Sequence, residues 1–96
     1  MNWKDRILTR RIKIYGIVQG VGFRPFVARL AQRFSIEGTV ANKGSHVEII
    51  ARGSSDGLNN FISALRAEAP PRAHIVDITV EEIFLSHPPT LKAVAF

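Results

Sequence analysis

The stretch Gly16-Ile17-Val18-Gln19-Gly20-Val21-Gly22-Phe23-Arg24-Pro25 carries the residue types and spacing best suited to chemistry. A β-branched run enters it and an amphipathic pattern leaves it. Gly20 and Gly22, two apart, suit a tight concave loop whose peptide N–H groups turn inward. A helix is expected from about Arg24, with Pro25 in its first turn, where a missing N–H costs nothing. Inward amides at a helix N-terminus attract anions. Arg24 at the lip adds a planar fork that matches phosphate bidentately. The loop therefore reads as a phosphate cradle. It is not a dinucleotide fingerprint, because Pro25 stands where the third glycine belongs, and no Gly-Lys-Ser/Thr follows to make a P-loop. An ordinary glycine-rich turn with a surface arginine is the plainer alternative, and spacing alone does not choose between them.

The string Val18-Gln19-Gly20-Val21-Gly22-Phe23-Arg24 closely resembles the signature of the acylphosphatase family, whose loop binds phosphate and ends in an essential arginine. The family's second element, a glycine-led strand ending in a catalytic asparagine, has its likeness in Gly38-Thr39-Val40-Ala41-Asn42. Thr39 departs from the aromatic residue usual there, a difference of packing more than of chemistry. The resemblance runs from about Arg11 to Phe84. It implies that Arg24 grips the phosphoryl oxygens together with the loop, Gln19 to Phe23, through the amides of Gly20, Val21, Gly22 and Phe23. It also implies that Asn42 orients the attacking water. A β-turn asparagine before Lys43-Gly44 is the alternative for Asn42, and Lys43 is a further anion-facing candidate.

These motifs hold no cysteine, serine or histidine to act as nucleophile and no carboxylate to act as base. Such a site can bind, orient and stabilise charge. Phosphoryl transfer suits it, because its catalysis is mostly positioning and electrostatics. The leaving group must then depart without protonation, as a carboxylate does from an acyl phosphate and a sugar alkoxide does not.

A finer likeness lies in Gly22-Phe23-Arg24-Pro25-Phe26-Val27, Leu30-Ala31 and Pro70-Pro71-x-Ala73-x-Ile75. These look like the N-terminal domain of hydrogenase-maturation carbamoyltransferases, in which an acylphosphatase-like domain precedes zinc-finger and carbamoylation domains. That resemblance implies carbamoyl phosphate as substrate, inorganic phosphate as product or inhibitor, no cofactor, and further domains of a longer chain. A non-catalytic domain that keeps the cradle for binding or assembly is the alternative. A nucleic-acid module of the same topology would stack bases on its open sheet face, but the first strand offers only Tyr15.

Ninety-six residues make one domain with one core. Thirteen basic against eight acidic residues give a net charge of +5, which draws anions of any size without choosing among them. The chain has no cysteine, so thiolate chemistry is excluded. His46, His74 and His87 are too scattered for a metal site and read as surface or loop residues. No apolar run reaches the roughly 20 residues of a membrane span. Residues 1–10 lack a secretory apolar stretch, so the expected location is the cytoplasm.

The elements that must position the loop follow from periodicity. Residues 1–10 read as a loosely held lead-in, 11–85 as the domain, and 86–96 as a linker or edge-lying tail. Arg11 to Val18 alternates as a half-buried strand, with Ile12, Ile14 and Val18 facing inward and Gly16 leaving room on that face for a neighbour. Phe26, Val27, Leu30, Ala31 and Phe34 make a helical apolar stripe. Ile36–Asn42 and Val47–Arg52 form a hairpin around Lys43-Gly44-Ser45. A second helix starts in the cluster Gly53-Ser54-Ser55-Asp56 with Asp56 or Ser55 as its cap, buries Leu58, Phe61, Ile62 and Leu65, and stops at Pro70-Pro71. His74 to about Phe84 is the last strand, with Val76, Ile78 and Val80 on one face and a bulge near Glu81-Glu82. The order predicts an α+β fold, a ferredoxin-like βαββαβ two-layer sandwich, in which two helices cover one face of a four-stranded antiparallel sheet.

Overall fold

The structure, a computed structural model, describes residues 6–84 and the backbone of 94–95. The elements run β1 (Ile7–Ile17), α1 (Phe23–Arg33), β2 (Glu37–Asn42), β3 (His46–Ser54), α2 (Ser55–Ala67), β4 (His74–Ile83) and a two-residue β5 (Val94–Ala95). All pairings are antiparallel, and the strand order is β4-β1-β3-β2-β5. The four principal strands and two helices form the expected ferredoxin-like sandwich, with β5 added outside β2. The other residues of the expected tail, 86–93 and 96, lie outside the described residues, as do residues 1–5.

Strand alternation decides what the helices cover. Ile12 and Ile14 of β1, Val47, Ile49 and Ala51 of β3, and Val40 of β2 are buried on one face. Phe26, Val27 and Leu30 of α1 and Leu58, Phe61 and Leu65 of α2 meet them. Each large apolar side chain so buried contributes about 1.5–3 kcal/mol before the entropy of ordering is charged. β3 is paired on both sides, which shields the β-prone run Val47–Ala51.

Several local expectations are corrected. β1 starts at Ile7, so residues 7–10 are strand, paired with Ser54 to Ala51 of β3, and not lead-in. α2 is capped by Ser54, whose Oγ accepts from Gly57 N–H at 3.0 Å, and neither Ser55 nor Asp56 takes that place. Phe34 is only half-buried, with the Arg33 guanidinium 5.6 Å from its ring centre; Phe23 lies in the core in its stead. Beyond Phe34, Ile36 N–H donates to Ala31 O at 2.8 Å and Ser35, at φ 57°, turns the chain out of α1, a Schellman close.

The bulge is real but lies at the other end of β4. Pairing is regular from Thr9↔Ile83 to Tyr15↔Asp77, then shifts so that Gly16 faces Ile75. Val76 is therefore the extra residue, 70% exposed, and leaves the face of Ile78 and Val80, while Ile75 packs against the core. Ile83 is out of phase simply because it pairs with Thr9 on the open face. Gly16 leaves room for backbone: a Cβ there would sit 2.0 Å from His74 O.

Candidate active site

The loop between β1 and α1 is anchored at both ends. Val18, 1% exposed, and Phe23, 2% exposed, both enter the core, and Phe23 packs edge-on to Phe26 with ring centroids 5.4 Å apart. Between these anchors the chain must arch. Gly20 (φ 71°) and Gly22 (φ 77°) are left-handed and flank Val21, which is not. That alternation turns successive N–H groups to one side. Gly22 is also the N-cap of α1 and offers no side chain to its first turn. Phe26 N–H donates back to Gly22 O at 3.3 Å, and Pro25 has no N–H. Among the described residues, the N–H groups of Gly20, Val21, Gly22, Phe23 and Arg24 have no intramolecular hydrogen-bond partner.

A concavity of about 220 Å³ opens beside this loop, lined by Val18, Gln19, Gly20, Gly22, Phe23, Arg24, Pro25, Asn42 and Val47. Arg24 is exposed on α1 and has no acidic partner among the described residues. Asn42 reaches the same pocket from the far side of the sequence. It pairs with Val47 as Val40 pairs with Ile49, so it continues the helix-facing row of β2 just past the core. Its Oδ1 accepts from Gly44 N–H at 2.8 Å. Because a peptide N–H can only donate, that contact fixes which end of the carboxamide is oxygen. Among the described residues, the Asn42 NH2 is the end left without a partner.

Of the expected site residues, the pocket gathers Gln19, Gly20, Gly22, Phe23, Arg24 and Asn42. Val21 does not line it; its side chain is half-buried and packs against the core, leaving only its N–H to the loop. Lys43 turns to the open face, its Nζ 3.5 Å from Glu48 Oε2. Sequence reasoning missed Val47, part of the floor, and Gly44, which holds Asn42. The Asn-x-Gly spacing, a hallmark of side-chain-stabilised turns, is the signal that points to Gly44.

A larger concavity, about 450 Å³, lies at the opposite end of β1 between Arg6, Thr9, Arg52, Glu82 and Phe84. Its described lining includes no helix N-terminus, and its arginines share it with a carboxylate, a setting less suited to an anion than the smaller pocket. The open sheet face carries Tyr15 tilted against His46 (ring centroids 5.0 Å apart) and Arg11 paired with Glu48 (3.1 Å) and Glu81. His46 and His74 stand on strands, not loops, and His87 lies outside the described residues. No helix among the described residues is long and apolar enough to cross a membrane.

Comparison with known proteins accords with this geometry. The acylphosphatase family model matches residues 10–89. An acylphosphatase of Staphylococcus haemolyticus is 40% identical over 77 residues, which are 80% of this chain and 86% of that protein. A probable carbamoyltransferase HypF of Methanocaldococcus jannaschii is 48% identical over 73 residues, 76% of this chain but 10% of that protein. The crystal structure of a full-length HypF in its phosphate- and nucleotide-bound form superposes with a TM-score of 0.82 at 37% identity, covering 86% of this chain and 11% of that one. This chain thus spans about a tenth of the carbamoyltransferases it matches and most of a free-standing acylphosphatase. By family model, sequence and fold together, it belongs to the acylphosphatase family.

Proposed function

We propose that the pocket hydrolyses acyl phosphates. The observation that carries this reading is one concavity that holds, among the described residues, an unpaired arginine, a run of unpartnered backbone N–H groups and a carboxamide fixed with its NH2 free. The amides of Gly20 to Phe23, that of Gln19 at the loop's entry, and the Arg24 guanidinium hold the phosphoryl oxygens, which carry most of the charge in the transition state. Asn42 donates to one lone pair of a water and leaves the other in line with phosphorus. The water oxygen bonds to phosphorus, the bond to the acyl oxygen breaks with its pair, and a carboxylate departs. The water's proton passes to solvent or to the product phosphate.

Among the described residues the pocket lining includes no histidine, carboxylate or hydroxyl side chain to protonate a leaving group. Selectivity for anhydrides follows from that. The likeness to carbamoyltransferases supports carbamoyl phosphate as the physiological substrate, a cytoplasmic setting, and a place at the N-terminus of a longer chain. The test is turnover of benzoyl phosphate and carbamoyl phosphate beside glycerol phosphate. Hydrolysis of the two anhydrides with an inert monoester is the expected result. Comparable rates on all three would demand a proton donor that the pocket lacks, and binding of phosphate without any turnover would leave a non-catalytic anion domain.

A further inference from the structure

Gln19 lines the pocket, yet its side-chain amide also reaches beyond the phosphate loop. Its Nε2 donates to Gly44 O at 2.9 Å, across 25 residues of sequence. Gly44 N–H in turn donates to Asn42 Oδ1 at 2.8 Å. Two hydrogen bonds on either side of one α-carbon thus run from the phosphate loop to the carboxamide assigned to the water. Gly44 occupies the first central position of a two-residue hairpin turn at φ 87°, closed by Lys43 N–H to His46 O at 2.9 Å. Apart from its chain neighbours, no described residue lies within 4 Å of where a Gly44 Cβ would be, so the outer side of the turn is open.

We infer that Gln19 is a positioning residue, which aims the Asn42 amide by tethering the Gly44 turn to the loop. The inference rests on the water-orienting role of Asn42 and adds a contact outside the phosphoryl group. One of the two N–H groups of the Gln19 carboxamide is spent on a backbone carbonyl of the turn. The tether also couples the halves of the site.

The experiment compares Gln19→Met, of similar length but without a donor, in the wild-type and Asn42→Ala backgrounds. Readouts are kcat and KM for benzoyl phosphate, inhibition by inorganic phosphate, and exchange of the Gly44 amide proton. Gln19 is outside the apolar core, so the variant is expected to melt as wild type does. Loss of one hydrogen bond should lower kcat about three- to tenfold with phosphate inhibition unchanged, and should speed Gly44 exchange. In the Asn42→Ala background the same substitution should change kcat by less than about 1.5-fold. Weakened phosphate inhibition, an equal loss in both backgrounds, or an unchanged kcat beside a crippled Asn42→Ala would each overturn the inference. An Asn42→Ala protein with wild-type kcat would instead remove the water-orienting role itself, and the inference with it.

Discussion

Asn42 Oδ1 and Gly44 N–H meet at 2.8 Å, and that one contact turns a strand-end asparagine into a directed donor. A carboxamide free in solution presents either end to a ligand. Here the oxygen is spent on the turn, so only NH2 is left. An aspartate at this position keeps the turn, since its oxygen accepts the same N–H, but loses the donor and brings a negative charge beside the phosphate. Asn42→Asp should melt within a few degrees of wild type, weaken phosphate inhibition and lower kcat by about a hundredfold or more. A wild-type kcat in Asn42→Asp would show that no donor is needed there.

Phosphate should bind where the N–H groups of Gly20 to Arg24 lack partners. Amide shifts read during a phosphate titration should move most at those residues and at Asn42, with little change near Arg6, Arg52 and Glu82 around the larger concavity. Shifts confined to that second group would place the anion at the wrong end of β1.

No described residue lining the pocket is given a proton-transfer role in the proposed scheme. The kcat profile should therefore be flat from about pH 5.5 to 8.5. A bell-shaped profile would expose an acid or base outside the assigned set. Stability behaves differently. The hydrogen bond from Arg33 (2.7 Å), opposed by desolvation and aided by that residue's charge, holds the Glu68 carboxyl below its ordinary value of 4.5. Its contribution is present above the unfolded-state value and is lost as pH falls through the lower, folded-state one. Glu68→Gln should remove a small acid-side loss of Tm that added salt also weakens.

Ser35 holds φ 57° at the Schellman close of α1, a conformation in which an L side chain is strained. Ser35→Gly should stabilise the domain by about 0.5–1 kcal/mol, part of the relief being offset by a freer unfolded chain. Thermal melts should show a rise of about 2–8 °C. A fall would mean that the Ser35 side chain makes a contribution larger than the strain.

Wherever one repeat decides the outcome, the sequence was enough. The two-residue alternation of Ile12 and Ile14, the helical stripe of Phe26, Val27 and Leu30, and the Gly20-x-Gly22 arch all follow from a local rule, and each forms as read. The misses arise where the answer belongs to a partner strand. Val76 alternates correctly with Ile78 in sequence, yet the shift opposite Gly16 moves it out of phase. Ser54, Ser55 and Asp56 can all cap a helix, and only the path of β3 selects Ser54. The Gln19–Gly44 contact joins two loops 25 residues apart, so no local pattern announces it. Asn42 was visible as a residue, but its orientation was not.

The most direct test sets Arg24→Ala beside Asn42→Ala, both shown to be folded, with kcat, KM and phosphate inhibition measured on benzoyl phosphate. In the proposed scheme Arg24 grips the phosphoryl group in ground and transition states alike, so its loss should weaken phosphate inhibition and cost at least about a hundredfold in kcat/KM. In the same scheme Asn42 is assigned to the water alone, so its loss should lower kcat strongly while phosphate inhibition stays near wild type. Wild-type turnover in either folded variant would contradict the account, for it would leave the pocket without the residue that grips the phosphate or the one that aims the water.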